Sequence, residues 1–226
     1  MGEPRTKIKL LKAAETLCSQ KGFHRIQVSD ITKEAGLSTG SFYIYFKDKD
    51  AIFYEVLDNS FKEYMERWKE FKKGRNNFDS AQYLRIIHQI FEFTFQYYLD
   101  RPGIFLMSYR HGYGVSREID DLITTFTSNL EKTISEDIQE ANLIQVADPK
   151  TVSQCLIGMV MFVTHSMITT GKPTLESAVE NCTQLASAGL ISYSMAGGYE
   201  NLLKFAEFLK SIRLPIFNPE INRPKN

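Results

Sequence analysis

Apolar residues recur at three- and four-residue intervals along nearly the whole chain. Across residues 5–20, Ile8, Leu11, Ala14 and Cys18 share one face and lysines fill the others, which predicts an amphipathic helix that Gly22 ends. A short helix is predicted over 28–35 and a second over 39–46, with Gly36-Leu37-Ser38 between them. Asp48 is placed to cap the next, which runs to about Lys72. Residues 79–100 are apolar on two faces: Leu84, Ile87, Phe91, Phe95 and Tyr98 form one stripe, and Ile86, Ile90, Phe93 and Tyr97 another. Such a helix lies at the centre of a fold. Asp100-Arg101-Pro102-Gly103 ends it and a short helix follows to about His111. Ile119, Ile123, Phe126, Leu130, Ile134 and Ile138 mark one long amphipathic helix. Helices over 148–170 and 174–194 flank Gly171-Lys172-Pro173, and a last one covers about 199–212. No stretch alternates with the period of a strand, so the predicted fold is all-α.

The two short helices around Gly36 have the form of a helix-turn-helix. Ile31, Ala35, Leu37, Phe42 and Phe46 can build its small core, and Ser38 can cap the second helix. The order of elements predicts a three-helix head over residues 1–48, a larger helical ligand-binding and dimerisation body over 49–213, and a tail over 214–226 whose three prolines exclude regular helix.

Composition narrows the function. The 226 residues carry 27 basic and 27 acidic side chains, but the balance is local. Residues 1–47 hold eight basic against four acidic groups, so the head is positive and the rest negative, a modest pointer to a polyanionic partner. Cys18, Cys155 and Cys182 form neither a disulfide framework nor a metal pair, which favours a reducing compartment. The longest apolar run, Cys155 to Val163, is short for a spanning helix, and no secretory leader is legible, so the expected location is cytoplasmic with no membrane partner. The four histidines lack metal-ligand spacing. No nucleophile elbow, phosphate loop or dinucleotide fingerprint is present. Neither a catalytic residue nor a metal nor a cofactor is expected, and enzyme function is disfavoured.

Residues 26–57 carry the most specific pattern: Ile31, Ala35-Gly36, Ser38, Gly40, Phe42-Tyr43, Tyr45-Phe46 and Lys49, followed by an apolar run from Ala51. This stretch resembles the DNA-binding region of the TetR family of bacterial transcriptional regulators. The resemblance implies that Ser29, Ser38, Thr39, Gly40, Ser41 and Ile44 face the groove or its edges. It implies that Tyr43 and Tyr45 contact the DNA backbone and that Lys49 contacts a phosphate. Plain structural roles exist for the same positions: Tyr43 as a core ring, Lys49 as a solvated lysine, Thr39 and Ser41 as caps. No Arg or Asn lies between Thr39 and Phe46, so bidentate base readout is not expected from this helix. Ile44 is suited to thymine-methyl contact.

The resemblance further implies a homodimer that binds a double-stranded, palindromic operator, and an unidentified small, largely apolar effector that releases it. Effector contacts are expected among Phe91, Phe95, Tyr98, Met107, Arg110, His111, Tyr113, Phe126, Met159, Phe162 and His165. The helices over 148–170 and 174–194 are expected to form the dimer interface through Leu156, Met159, Val163, Met167, Ala178, Cys182, Leu185, Ala186 and Gly189. The helix from Lys49 is the expected mechanical link between effector and head. The alternative is a ligand-independent architectural or division factor of the same fold.

Overall fold

The computed structural model describes residues 4–73, 80–111, 114–140 and 148–196. The described residues are helical with no strand among them. The helices are α1 (Arg5–Lys21), α2 (Val28–Ala35), α3 (Thr39–Tyr43), α4 (Lys49–Lys72), α5 (Ser80–Asp100), α6 (Pro102–Leu106), α7 (Arg117–Glu140), α8 (Pro149–Thr170) and α9 (Leu175–Ala196). Two short turns also appear: a 3-10 turn at Phe23–Arg25 and a π turn at Met107–His111. The pattern of apolar positions foresaw all the α-helices to within a few residues and neither of the two turns. The helix expected over 199–212 and the tail lie outside the described residues.

The caps explain why the head's short helices hold. The Asp30 carboxylate accepts the Gln27 backbone N–H at 2.9 Å at the start of α2, so capping comes from the third helical position where residue 27 is Gln. Gly36 ends α2 in the left-handed conformation (φ 65°, ψ 37°), which a Cβ would strain. Ser38 Oγ accepts the Ser41 N–H at 3.2 Å, and Asp48 Oδ1 accepts the Ala51 N–H at 2.8 Å. The helix of the turn-helix unit is shorter than expected, closing at Tyr43 rather than at Phe46.

Buried side chains form two clusters. The larger runs without a break from the head (Leu10, Ile31, Phe42, Phe46) through α4 (Phe53, Leu57, Tyr64) into α6 and α7 (Phe105, Ile123, Phe126). The boundary expected at residues 48 and 49 is therefore not a boundary of the core. The smaller cluster joins one face of α5 (Ile87, Phe91, Phe95) to α8 (Val160, Met167) and α9 (Ala178, Val179, Cys182). As its two apolar faces imply, α5 serves both.

Candidate nucleic-acid interface and effector body

Phe42 has no solvent exposure and locks α3 onto the head's core. That fixes what α3 presents outward. Ser29 on α2 and Ser38, Thr39 and Gly40 at the start of α3 are exposed, and Ser41 and Tyr45 are half-buried. Tyr43 is 57% exposed and Ile44 75%, values that exclude a core role for either. Tyr43 is nevertheless held in place, with its ring edge-on to Phe42 at 5.4 Å. The Ser38 and Ser41 hydroxyls lie 2.9 Å apart, so both are partly engaged in the cap. The α3 face thus offers a phenol, an apolar tip and small hydroxyls on a rigid mount, a set that can meet a groove wall and thymine methyls.

Lys49, expected to contact a phosphate, has a partner within the chain. Lys49 Nζ donates to the Phe23 carbonyl at 3.2 Å and sits 4.1 Å from the centre of the Phe23 ring. Phe23 is buried and packs edge-on against Phe53. Lys49 therefore ties the start of α4 to the turn after α1, because a half-buried cation gains from a carbonyl and an aromatic face. Two residues away, Lys47 is 77% exposed and 4.0 Å from Asp48. Sequence reasoning passed over it, although the Lys-Asp-Lys spacing displayed both candidates. His24 and Arg25 on the 3-10 turn are also exposed.

Burial rearranges the effector list. Phe91 and Phe95 are spent in the smaller cluster, and Tyr98, Met107 and Phe126 in the larger. Phe126 stacks on Phe61 at 4.0 Å, and Tyr64 touches both Tyr98 and Phe126. The surplus of rings is largely self-packed core, since each ring finds others at contact distance. Phe162 is corrected outright: it is 69% exposed on the outside of α8. Met159 and His165 are half-buried. The side chains of Arg110 and His111, and the whole of Tyr113, lie outside what is described. What the sequence did not reveal is a set of buried polar atoms without hydrogen-bond partners: Trp68 Nε1, Thr164 Oγ1 and His165 Nε2 in the body, with Ser187 Oγ on α9. The His165 ring lies 5.5 Å from that of Tyr109 on the π turn.

The residues expected at the dimer interface divide between two faces. Met167, Ala178, Cys182 and Ala186 are buried in the chain's own smaller cluster, with Leu156, Met159 and Val163 packed against it. That stripe faces α5. The opposite face of the same two helices is bare: Cys155, Gly158 and Phe162 on α8, and Leu185, Ala188 and Gly189 on α9 are exposed. Leu185, 68% exposed, and Gly189 are the two expected residues that do lie outward. By length and composition alone α8 is long and apolar enough to cross a membrane, and little of its apolar stretch is buried within the chain. An apolar helix left uncovered on one face has the character of an association surface.

The titratable groups add detail. Acceptance of the Gln27 N–H, with the Lys21 ammonium at 3.3 Å, lowers the Asp30 pKa. Burial pushes the Cys18 thiol up to about 12 against the opposing pull of Lys49. Burial raises the Glu15 carboxyl while the neighbouring Arg101 opposes the shift.

A capped helix-turn-helix displaying an outward α3, built into one core with a larger helical body, defines a helix-turn-helix DNA-binding regulator. The sequence profile described as "Bacterial regulatory proteins, tetR family" matches residues 10–56. The HTH-type transcriptional regulator YdgC of Bacillus subtilis is 31% identical over 188 residues, 81% of this chain and 91% of that protein. The chain belongs to the tetR family of bacterial regulatory proteins. Its fold matches the fatty acid degradation regulator FadR of Bacillus halodurans (TM-score 0.68, 17% identity, 84% of this chain and 98% of the other). It also matches FadR of Bacillus subtilis, solved with stearoyl-CoA (TM-score 0.66, 19% identity, 80% and 98%).

Proposed function

We propose that the chain is a cytoplasmic, homodimeric repressor, without catalytic activity, that binds a palindromic operator through α3 and is released by a largely apolar effector. The observation that carries this reading is the outward face of α3. Tyr43 and Ile44 project from a helix whose other side is sealed by Phe42, and a solvated surface gains nothing from such a display. Tyr43 and Tyr45 serve the DNA backbone, the exposed Lys47 supplies charge for a phosphate, and Ile44 reads a thymine methyl. Thr39, Gly40 and Ser41 allow close approach.

Dimerisation through the bare face of α8 and α9 gives two heads for two half-sites. The effector reading draws support from the polar atoms of Trp68, Thr164 and His165. Buried groups without protein partners are unusual, and a ligand or ordered water can supply what is missing. An apolar effector also suits a body of this composition, and a fold relative takes up stearoyl-CoA.

The ligand-independent alternative has one observation in its favour, the close ring-to-ring packing of Phe61, Tyr64, Tyr98 and Phe126. Selection of duplexes from a random pool tests the primary reading. It should return a two-fold symmetric site, with binding abolished by competitor of the same sequence and retained against random duplex. Absence of any enriched site would overturn it. A thermal-shift screen with fatty acids and their coenzyme A esters separates the two readings. A stabilised chain that also loses operator binding supports the effector-responsive one.

A further inference from the structure

The joint between α5 and α6 grips the head at a place that the helix-turn-helix itself does not explain. Arg101 donates to both oxygens of Glu63 on α4, at 2.8 and 3.1 Å. Its Nε lies 4.0 Å from Glu15 on α1. Its guanidinium also lies 4.6 Å from the centre of the Tyr97 ring, and Tyr97 is itself pinned by donating its hydroxyl to the Ser60 carbonyl at 2.7 Å. Both bonds to Glu63 come from the one nitrogen Nη2, and a planar cation held so between a carboxylate and an aromatic face has little freedom.

Two residues on, the Gly103 N–H donates to Ser19 Oγ of α1 at 3.0 Å. A Cβ at position 103 would fall 2.4 Å from Ser19 Oγ and 2.7 Å from Ser19 N. Backbone is therefore docked on backbone here. Below this contact Cys18 Sγ meets Met107 Sδ at 3.8 Å.

We propose that the Arg101–Pro102–Gly103 turn is a latch between body and head, with Arg101 as a positioning residue that sets the angle of α1, and with it α3, by spanning Glu63 and Glu15. The proposal rests on the reading of the head as the DNA-binding part. It adds a second route of control, through α1, to the one expected along α4. The route has a physical beginning: His165, with its unpartnered Nε2, abuts Tyr109 of the π turn, and Tyr109 stacks on Phe105 of α6. A shift at that site reaches α1 through packed groups in direct contact. A head held at one angle also loses less freedom on binding DNA, so the latch raises operator affinity by preorganisation.

The test uses the full-length chain in a Cys155→Ser background with spin labels at Lys33→Cys on the head and Lys132→Cys on α7. Labelled chains are diluted with excess unlabelled chain, so that the head-to-body distance within one chain is read. The parent should give one narrow distance. Arg101→Gln should broaden it and weaken binding to the selected operator roughly tenfold, within the usual range of coupling between sites. Arg101→Lys, which keeps the charge and loses the planar guanidinium that reaches Glu63, Glu15 and the Tyr97 ring together, should fall between. Gly103→Ala should displace the mean distance. If that variant fails to fold, the two Arg101 variants decide the matter.

An unchanged distance in both Arg101 variants overturns the latch, as does unchanged operator affinity alongside a parent that binds. If Ile44→Ala loses the operator while Arg101→Gln keeps it, the head's role stands and the latch falls. If no chain binds any duplex, the DNA reading fails and the distances alone decide the mechanical claim.

Discussion

The head and the outer layer of the body use apolar residues in opposite ways. In the head nearly every large apolar side chain of α1 to α3 points inward, Phe42 and Ile31 have no exposure, and the outward exceptions are few: Ile8, Tyr43 and Ile44. In α8 and α9 apolar residues cover both sides. One stripe seals against α5, while the other, with Phe162 and Leu185, faces outward. A short unit with a single inward face is complete as a lone chain. A pair of helices with two apolar faces is complete only when something covers the second. The comparison predicts that damage in the head appears as lost folding and damage on the outer face as lost association.

The largest effect should come from Phe42→Ala. Removing a fully buried ring from a small core costs about 3–5 kcal/mol. The larger cluster is continuous from head to α7, so the loss should lower the urea midpoint of the whole chain and not only of residues 4–48. A two-step transition with an unchanged second step would show that the head unfolds by itself and would break the contrast in its present form.

On the outer layer, Phe162→Glu should leave the folded monomer almost as stable, because the side chain is already exposed. It should convert a dimer to a monomer in light scattering, since a buried carboxylate without a partner is costly at an interface. Leu185→Glu should act in the same direction. A dimer that survives both substitutions would move the interface elsewhere.

These two predictions show where the sequence was legible. The head's helices were placed by period because each has one apolar stripe, but on α1 the inward face was only half right: Ile8 is 49% exposed, while Leu10 and Leu17, which the stripe passed over, are buried. The head's caps were almost as readable: Ser38 and Asp48 act as their residue types suggest, while the cap of α2 had to be sought at Asp30. On α8 and α9 the period locates the helices but not the direction in which each stripe points, so that Ala178, Cys182 and Ala186 pack within the chain is not legible in the sequence. The tie that Lys49 makes within the chain was hidden for a different reason. The lysine's partner, the Phe23 carbonyl, is a backbone atom 26 positions away, and no side-chain pattern records it. The effector body was least legible, because an aromatic that lines a cavity and one that fills a core have the same letters.

The cysteines sharpen the contrast at intermediate scale. Cys18 and Cys182 are buried and Cys155 is exposed. At pH 8 an alkylating reagent should modify one thiol per chain, because the Cys18 thiol, at about 12, supplies almost no thiolate. The modified residue should be Cys155, identified by peptide mass. Its rate should fall as protein concentration rises through the dimer range, whereas in Phe162→Glu it should not. A rate independent of concentration in the parent would place Cys155 outside the covered face.

The smallest effect is electrostatic and has opposite signs at two carboxyls. Asp30 titrates below the unfolded value of 3.8 because its charged form accepts the Gln27 N–H and faces Lys21. Between the folded and unfolded values the unfolded chain binds more protons, so this contribution is present above pH 3.8 and is lost as pH falls through the folded value. Glu15 is shifted upward from 4.5 by burial. There the folded chain binds more protons, so stability declines as pH rises through 4.5 to the folded value. Asp30→Asn should therefore flatten the acid limb of the urea midpoint plotted against pH, and Glu15→Gln should remove a decline on its higher-pH side. Asp30 is exposed and well screened, so its change should be slight and should shrink further in high salt. Glu15 lies at the Arg101 joint, so its change should resist salt better. Equal salt sensitivity at the two sites would mean that the joint between head and body is as open to water as the head's own surface.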